Sequence, residues 1–245
     1  MTSPWLMAAL SFPIGLCLGS YASTAAMRWA RSEPSIGGRS HCDDCGVNLG
    51  WFQTLPVVSF VGRRGACGQC GAQIDPLHPA GELAGALILA SSFAVLPIGV
   101  APVAAGLGLV LLAAAIFDAK TRRLPDSLTL VAGLLCAGLA LEHGPARLIL
   151  GCAVAVAVVA GLETARRLFL KARGEPGLGF GDVKLIGVAS IWLGLQTPWM
   201  ITIASAAGLA AFALLKPSDR RLPFGPFIAA ATFCLGLVLE ARSWS

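Results

Sequence analysis

Three carboxylates stand where the sequence changes from apolar to polar, and their placement indicates chemistry. The chain has only 13 acidic residues in 245. Asp118 ends one long apolar run, Asp126 begins the next, and Asp182 closes the glycine-rich segment 177–182. Two carboxylates held close together on different helices share one proton, because like charges repel. One then acts as a base on water while the other polarises a carbonyl group, which is the chemistry of an aspartyl protease.

Each of these carboxylates also has a purely structural explanation. At a helix C-terminus Asp118 opposes the helix dipole and is costly near hydrocarbon, which favours a functional role. Lys120 or Arg122 could instead simply pair with it. Asp182 would serve equally well as the N-cap of the following helix. A carboxylate in the first turn of a helix is favourable, so we interpret Asp126 as chiefly structural.

The glycines before Asp182 predict a loop through which a substrate approaches. Gly179 and Gly181 alternate with larger residues and leave the backbone bare, so another chain can come close to it. The sequence has no GxSxG motif for a serine nucleophile and no HExxH motif for a zinc protease. Asp118 and Asp182 are therefore the predicted catalytic pair.

Four cysteines form two CxxC pairs within one polar insert. Cys42 and Cys45 make the first pair, and Cys67 and Cys70 make the second. Two such pairs can place four thiolates around one tetrahedral Zn²⁺ with no open coordination position, which predicts a structural zinc. A glycine follows each pair, where a tight turn needs a permissive backbone. Disulfide bonds are the alternative interpretation.

The composition shows what must position these residues. Hydrophobic residues make up 56% of the chain and charged residues 13%, against about 25% charged in soluble domains. Apolar runs of about 20 residues are long enough to cross a bilayer as helices. The predicted fold is an all-α polytopic membrane protein with about eight transmembrane helices and a small cytoplasmic zinc-binding domain. The predicted spans are 4–26, 80–98, 101–118, 124–141, 147–168, 183–197, 199–215 and 223–240.

Basic residues predict the orientation. Eight spans put 16 of the 18 Lys and Arg residues on one side, including Lys216, Arg220 and Arg221, and leave Arg147 and Arg242 on the other. The positive-inside rule assigns the richer side to the cytoplasm, so the insert and both aspartates are expected there. Thiols stay reduced in the cytoplasm, which favours zinc over disulfides. Because the basic residues flank apolar runs, they indicate membrane topology and exclude nucleic acid as the partner.

The first 26 residues are expected to form a retained transmembrane helix rather than a signal peptide. They contain no basic residue, so the charged start of a secretory signal is missing. This order puts the N-terminus outside. The predicted units are a first helix at 1–26, a cytoplasmic zinc insert at 27–79 and a seven-helix protease domain at 80–245.

Taken together, these motifs resemble the type IV prepilin peptidase family, which are polytopic GxGD-type aspartyl proteases. The resemblance covers nearly the whole chain. It is carried by the two CxxC pairs with Leu55–Pro56 between them, by Asp118 followed by Leu124–Pro125–Asp126, by Gly179–Phe180–Gly181–Asp182, and by Pro223–Phe224–Gly225–Pro226–Phe227. The resemblance implies an enzyme of the bacterial inner membrane that removes a short basic leader from type IV prepilins or pseudopilins, each with one hydrophobic helix.

The resemblance also implies a second activity, which is methylation of the new N-terminus with S-adenosylmethionine. Proteolysis needs only the aspartates and their helices, so we expect the insert to serve this second reaction. Glu82 lies where the insert meets the second span and could orient the amine or accept its proton. The alternative is that the insert only docks the leader.

Two functions from other classes fit parts of the sequence. A proton-coupled secondary transporter also uses carboxylates and glycine-interrupted helices, although its site lies near the middle of the membrane. A zinc-containing scaffold of a secretion machine would explain the cysteines and leave Asp118 unexplained.

Overall fold

The protein folds as a bundle of helices in the computed structural model, which describes residues 3–35, 37–174, 177–215 and 222–244. The basic residues Lys216, Arg220 and Arg221, which the topology argument used, lie outside these ranges. The described residues contain isolated β-bridges but no β-strand. The α-helices are α1 Pro4–Ala30, α2 Val58–Gly62, α3 Leu77–Val95, α4 Ala101–Thr121, α5 Asp126–Leu141, α6 Pro145–Arg173, α7 Phe180–Leu193, α8 Thr197–Leu215 and α9 Gly225–Trp244.

The described chain has a helix at each of the eight predicted spans, and five stretches are long and apolar enough to cross a membrane. Those five are α1, α4, α6, the 36 residues of α7 and α8 together, and α9. α5 is shorter, with 16 residues. α3 carries His78 and Glu82 near its start. The prediction of an all-α membrane protein is thus confirmed at this coarser level.

The predicted sixth span was placed too late in the chain. The prediction began it at 183, whereas α7 begins at Phe180 because Gly179 takes the N-cap position. The helix ends at Leu193 because Gly194 adopts a φ of +54°, which is left-handed. A 3₁₀ turn, Gly194–Gln196, then leads into α8.

Glycines bring α1 and α3 into backbone contact. Gly15 and Gly19 of α1 face Gly81 and Gly85 of α3. A β-carbon added at Gly19 would lie 2.5 Å from the carbonyl oxygen of Gly81, and one at Gly15 would lie 2.6 Å from that of Gly85. Small residues spaced four apart let membrane helices approach closely, where van der Waals packing drives their association. The two helices that flank the insert are therefore tightly joined.

α4 lies at the centre of the bundle and packs on α1, α3, α5 and α9. Its buried residues Leu107 and Leu111 join a core with Leu139 of α5, Trp192 of α7 and Ile228 of α9. α6 reaches only the edge of this core, through the partly buried Val158 and Leu162, and Gly151 is its only buried residue among those described. The position of α4 fixes where its last turn, which carries Asp118, is held.

A buried carboxylate ties the helices together at the end of the bundle away from Asp118. Glu240 near the end of α9 is fully buried. Its carboxylate accepts hydrogen bonds from Trp192 Nε1 at 3.0 Å and Trp244 Nε1 at 3.2 Å. The ring of His143, in the turn between α5 and α6, lies 2.6 Å away. A buried carboxylate is tolerated when its oxygens are satisfied in this way.

Candidate active site

Asp118 lies in the last turn of α4 and is buried, with 5% of its surface exposed. Its Oδ2 accepts a hydrogen bond of 3.0 Å from the backbone N–H of Gly225. Gly225 is the first residue of α9, so the positive end of that helix dipole faces the carboxylate. The dipole of α4 destabilises a negative charge on Asp118 at its C-terminal end. The positive end of the α9 dipole offsets this unfavourable effect.

Asp182 is the third residue of α7, and its side chain is half-buried. The interpretation of Asp182 as an N-cap is wrong, because Gly179 occupies that position. Asp182 instead turns back towards Gly179, where an added β-carbon would lie 3.0 Å from its Oδ2. The Asp118 and Asp182 carboxylates lie near enough to interact electrostatically. The structure thus brings the two predicted catalytic residues to the same end of the bundle.

The two lysines near these aspartates pair with other carboxylates. Lys120, the first proposed partner of Asp118, forms an ion pair with Asp75 of the insert. Lys184 forms an ion pair with Asp126 at the start of α5. Arg122 attracts Asp118 electrostatically. The predicted structural role of Asp126 agrees with this position, in which it is 82% exposed and joins α5 to α7.

The glycines of the predicted approach loop differ in their surroundings. A β-carbon at Gly181 would lie 3.1 Å from Cβ of Leu124, so this glycine lets the α4–α5 connection pack closely on α7. Gly179 is exposed and its nearest neighbour is Asp182. Phe180 between them is flanked by Arg166 and Lys184, whose charged groups lie 5.6 and 5.1 Å from its ring centre. Only Gly179 leaves bare backbone open beside Asp182.

The four insert cysteines form one cluster of free thiols. All four sulfurs of Cys42, Cys45, Cys67 and Cys70 lie within 4.8 Å of one another. The Sγ atoms of Cys42 and Cys70 are 3.9 Å apart, close to the roughly 3.8 Å between sulfurs that a tetrahedral Zn²⁺ with Zn–S bonds of about 2.3 Å requires. The donor set and the spacing fit a structural zinc ion.

The backbone of each CxxC pair folds in the same way. In the first pair the N–H of Gly46 donates to the carbonyl of Cys42, and in the second the N–H of Gly71 donates to that of Cys67, both at 3.0 Å. Gly46 and Gly71 have φ values of +69° and +75°. The glycine after each pair is therefore required by a left-handed turn, as the sequence predicted.

The thiols of the cysteine cluster can all be ionised at the same time only if a cation lies among them. The N–H groups of Cys70 and Gln69 lower the pKa of Cys67, which favours its thiolate. At Cys70 the N–H of Ala72 also favours the thiolate, but the neighbouring sulfurs, Cys45 first, outweigh it and raise the pKa. A divalent metal ion would supply the missing positive charge.

The insert is attached to the end of the bundle that carries Asp118. The buried guanidinium of Arg28 in α1 donates to the carbonyl of Arg39 at 3.0 Å. Trp29 of α1 packs edge-on against Phe117, with ring centres 5.1 Å apart. Phe117 immediately precedes Asp118, and the Lys120–Asp75 ion pair follows it by two residues. The insert and α1 therefore both contact the end of α4 that carries Asp118.

Glu82 joins the insert to the helices beneath it. Its Oε1 accepts from the Ser20 hydroxyl of α1 at 2.8 Å, and its Oε2 accepts from the backbone N–H of Val57 at 2.6 Å. Val57 has a φ of +61°, a costly conformation for a β-branched residue. Both carboxylate oxygens of Glu82 are thus used in hydrogen bonds that join the insert to α1 and α3. Glu82 also borders a cavity of about 140 Å³ between the insert, α1 and α3.

Gly225 is a candidate site residue whose contact with Asp118 the sequence did not predict. The sequence placed it in a motif between Pro223 and Pro226 without giving it a role. A β-carbon there would lie 2.7 Å from Oδ2 of Asp118, so only glycine leaves room for the carboxylate while its N–H donates. Two prolines around one glycine at the start of an apolar run were the available signal.

Two regions of the chain match known protein families. Residues 14–96 match the family described as Bacterial Peptidase A24 N-terminal domain. Residues 105–215 match the Type IV leader peptidase family. The first region contains the cysteine cluster, and the second contains Asp118 and Asp182.

Curated relatives match over most of the chain, and no solved structure matches it. A prepilin leader peptidase/N-methyltransferase of Burkholderia pseudomallei is 38% identical over 202 residues, which cover 78% of this chain and 64% of the relative. One of Klebsiella pneumoniae is 33% identical over 216 residues, covering 83% and 93%. One of Pseudomonas putida is 29% identical over 261 residues, covering 93% and 89%. The chain thus spans just under two thirds of the length of the Burkholderia relative.

Proposed function

The chain belongs to the type IV leader peptidase family, and from this premise we propose that it is an intramembrane aspartyl endopeptidase. Its substrates are type IV prepilins or pseudopilins, from which it removes a short basic leader. The observation that carries the proposal is that Asp118 and Asp182, on two separate helices, lie near enough to interact electrostatically, at the end of the bundle to which the insert is attached. Both lie at helix ends, which is unlike the mid-membrane site of a transporter.

The two carboxylates divide the work of hydrolysis between them. The charged member takes a proton from a water molecule, whose oxygen then attacks the carbonyl carbon of the scissile peptide bond. The protonated member donates a hydrogen bond to the carbonyl oxygen as it gains negative charge. The carbon–nitrogen bond breaks, and the nitrogen leaves as an amine after receiving a proton from the pair. The N–H of Gly225 holds Asp118 in place for this exchange.

The proposed setting is the bacterial inner membrane, with the aspartates and the insert at the cytoplasmic face. Eight crossings would be completed by α3, by α5 and by a break between α7 and α8 at Gly194. Basic residues gather at the end that carries the aspartates, with Lys120 and Lys184 within two residues of Asp118 and Asp182. The positive-inside rule assigns such an end to the cytoplasm. A leader that stays in the cytoplasm would reach the pair there.

The proposal is tested by cleavage of a purified prepilin in detergent. Asp118→Asn or Asp182→Asn should reduce the rate at least about 100-fold while the protein still accumulates in membranes, because general acid–base catalysis contributes about 10²–10⁴-fold. Asp126→Asn is the matched control, since Asp126 is exposed and pairs with Lys184. Substantial cleavage by Asp118→Asn would refute the assignment of the pair.

A second proposed activity is N-methylation of the amine that cleavage exposes, with S-adenosylmethionine as the donor. Its support is the name of the relatives and the position of the insert beside the aspartates. The cavity next to Glu82 measures about 140 Å³, below the roughly 300–1,000 Å³ typical of ligand sites. It does not hold the whole cofactor as it stands, so we assign Glu82 the role of holding the insert in place.

Mass spectrometry of the processed substrate tests methylation. Active enzyme supplied with S-adenosylmethionine should add one methyl group to the new N-terminus. An unmethylated product in the same reaction would leave the insert as a unit that docks the leader.

A further inference from the structure

The insert presents five apolar side chains on its surface, between its two cysteine pairs. They lie on and beside a 3₁₀ turn, Trp51–Thr54, and α2. These side chains, between 38% and 69% exposed, are Trp51, Phe52, Leu55, Val58 and Val61. We refer to them as the apolar patch. The rings of Trp51 and Phe52 stack with centres 3.4 Å apart, and Val58 and Val61, three residues apart, share one face of α2.

The side of the same segment that faces the protein carries polar groups. Gln53 and Ser59 are half-buried and line the cavity that Glu82 also borders. Phe60 lies there too, where its ring would be 3.1 Å from a β-carbon added at Gly65. Soluble domains mostly bury apolar side chains and expose polar ones. An outward apolar face over a polar interior instead marks a surface that meets a membrane or another protein.

Hydrogen bonds fix the depth of this segment relative to the membrane helices. The N–H of Val57, immediately before α2, donates to Glu82, which also accepts from Ser20. Ser20 lies six residues inside the predicted first span, 4–26, and Glu82 lies two residues inside the second, 80–98. At 1.5 Å per residue these offsets are about 9 and 3 Å. Interfacial helices bury their apolar faces about 5–10 Å into the boundary between headgroups and acyl chains, so α2 begins at their usual depth.

The membrane helices present apolar side chains at the same level. Tyr21 follows Ser20 on α1, Leu83 follows Glu82 on α3, and both are exposed. α1 is one of the helices long and apolar enough to cross a membrane. The apolar patch therefore lies level with a surface that α1 and α3 turn towards lipid.

We propose that the apolar patch is inserted in the bilayer, at the boundary between headgroups and acyl chains of the leaflet beside the insert. Tryptophan suits this region because its ring is apolar while its N–H can reach water or headgroups. The cysteine pairs stay outside, since Asp43 of the first pair bonds Arg31 at 2.8 Å, and Arg31 lies eleven residues, or about 16 Å, beyond Ser20 along α1. The membrane thus holds the insert together with α1 and α3. This inference rests on the membrane-spanning bundle and not on the proposed peptidase function.

Fluorescence quenching tests what covers the patch. A fluorescent amino acid is encoded at Val58, or at Asn48 as the control, in full-length protein reconstituted in phosphatidylcholine nanodiscs without precursor. Asn48 is exposed and forms a β-bridge with His41, whose ring lies 3.5 Å from the guanidinium of Arg28. We expect lipids brominated in the upper acyl chain to quench position 58 at least about twofold more than position 48, because an interfacial segment lies about 5–10 Å deep. Iodide in the water should quench the two positions in the reverse order.

Equal quenching by iodide at the two positions would overturn the proposal. Shielding of position 58 from both quenchers would show that another protein surface, such as a second copy of the chain, covers the patch. Shielding that requires added precursor would show a surface that docks the substrate. Either of these results would also overturn the proposal.

Thermal stability in nanodiscs provides a second test, in which water and lipid predict different results. Val58 is the first residue of α2, where an aspartate facing water is favourable, whereas a carboxylate that enters the bilayer is costly. We expect Val58→Asp to lower the thermal midpoint by at least about 2 °C, and Asn48→Asp to leave it unchanged. A midpoint that is unchanged or higher for Val58→Asp would overturn the proposal. Neither test measures cleavage, so its outcome is separate from that of the peptidase proposal.

Discussion

At the scale of single residues, the environment of Asp118 depends on one glycine in another helix. Gly225→Ala keeps the N–H donor but places a β-carbon 2.7 Å from Oδ2 of Asp118, so the carboxylate must move. We expect kcat to fall by about 10–100-fold with little change in KM, since misplacement by about 1 Å can cost about 100-fold. Cleavage kinetics in detergent measure this. Gly106→Ala in α4 is the control, because an added β-carbon there meets no atom within 4 Å.

The proposed catalytic pair also predicts how the cleavage rate depends on pH. Cleavage requires one charged and one protonated carboxyl group, so single-turnover rates should follow a bell-shaped curve with a limb on each side. The two apparent pKa values belong to the pair rather than to either residue. Asp126→Asn should leave the shape of the curve unchanged. A flat profile between pH 4 and pH 9 would argue against shared-proton chemistry.

The sequence singled out the two candidate carboxylates but not the group that holds one of them. Asp118 and Asp182 stand out because charges are scarce and both lie at the ends of apolar runs. The partner of Asp118 is 107 residues away, and no local pattern records such a contact. The hydrogen bonds that Glu82 accepts from Ser20 and Val57 could not be predicted for the same reason, since both partners are distant in the sequence.

At the scale of helices, the close contact between α1 and α3 can be tested by making the same glycine-to-alanine substitution at two sites. We expect opposite effects on thermal stability at the two sites. Gly19→Ala should lower the thermal midpoint in detergent, because the new methyl group would lie 2.5 Å from the Gly81 carbonyl oxygen. Gly161→Ala in α6 meets nothing within 4 Å. It should be neutral or stabilising, since alanine favours a helix over glycine by about 1 kcal/mol. Equal shifts in the two variants would show that the α1–α3 contact is not close.

Helix positions were predictable to within a few residues, whereas helix pairing was not. Apolar runs located the helices, and the start of α7 was misplaced because Asp182 and Gly179 both suit an N-cap. The four-residue spacing of glycines in α1 and α3 is visible in the sequence. That these two stripes face each other depends on the packing of the whole bundle.

At the scale of the whole molecule, we expect the proposed zinc site to affect the rate of cleavage. Its four cysteines are not part of the proposed Asp118–Asp182 pair. Purified protein should contain one zinc ion per chain by metal analysis. Cys45→Ser should lower zinc content, folded yield and cleavage together, because metal binding energy is folding energy in such a site. The loss reaches Asp118 through the contacts of Trp29 with Phe117 and of Lys120 with Asp75. Cys234→Ser is the control, since Cys234 lies in α9 outside the cluster.

Protein isolated without chelators that contained no zinc would refute the site. Cys45→Ser protein that lacked zinc and still cleaved at the normal rate would separate the metal from catalysis, and the insert would then not position α4.

The position of the insert early in the chain sets an order of events during biosynthesis. The four cysteines and both glycine-bearing helices are complete once α3 has been made, roughly 90 residues before Asp182 leaves the ribosome. At about 5–20 residues per second, that interval lasts about 5–20 s. The metal platform can therefore fold first, and the end of α4 is then made next to a surface already prepared for Phe117 and Lys120. On the proposed assignment, zinc is needed while the protein is being translated, well before the first precursor is cut.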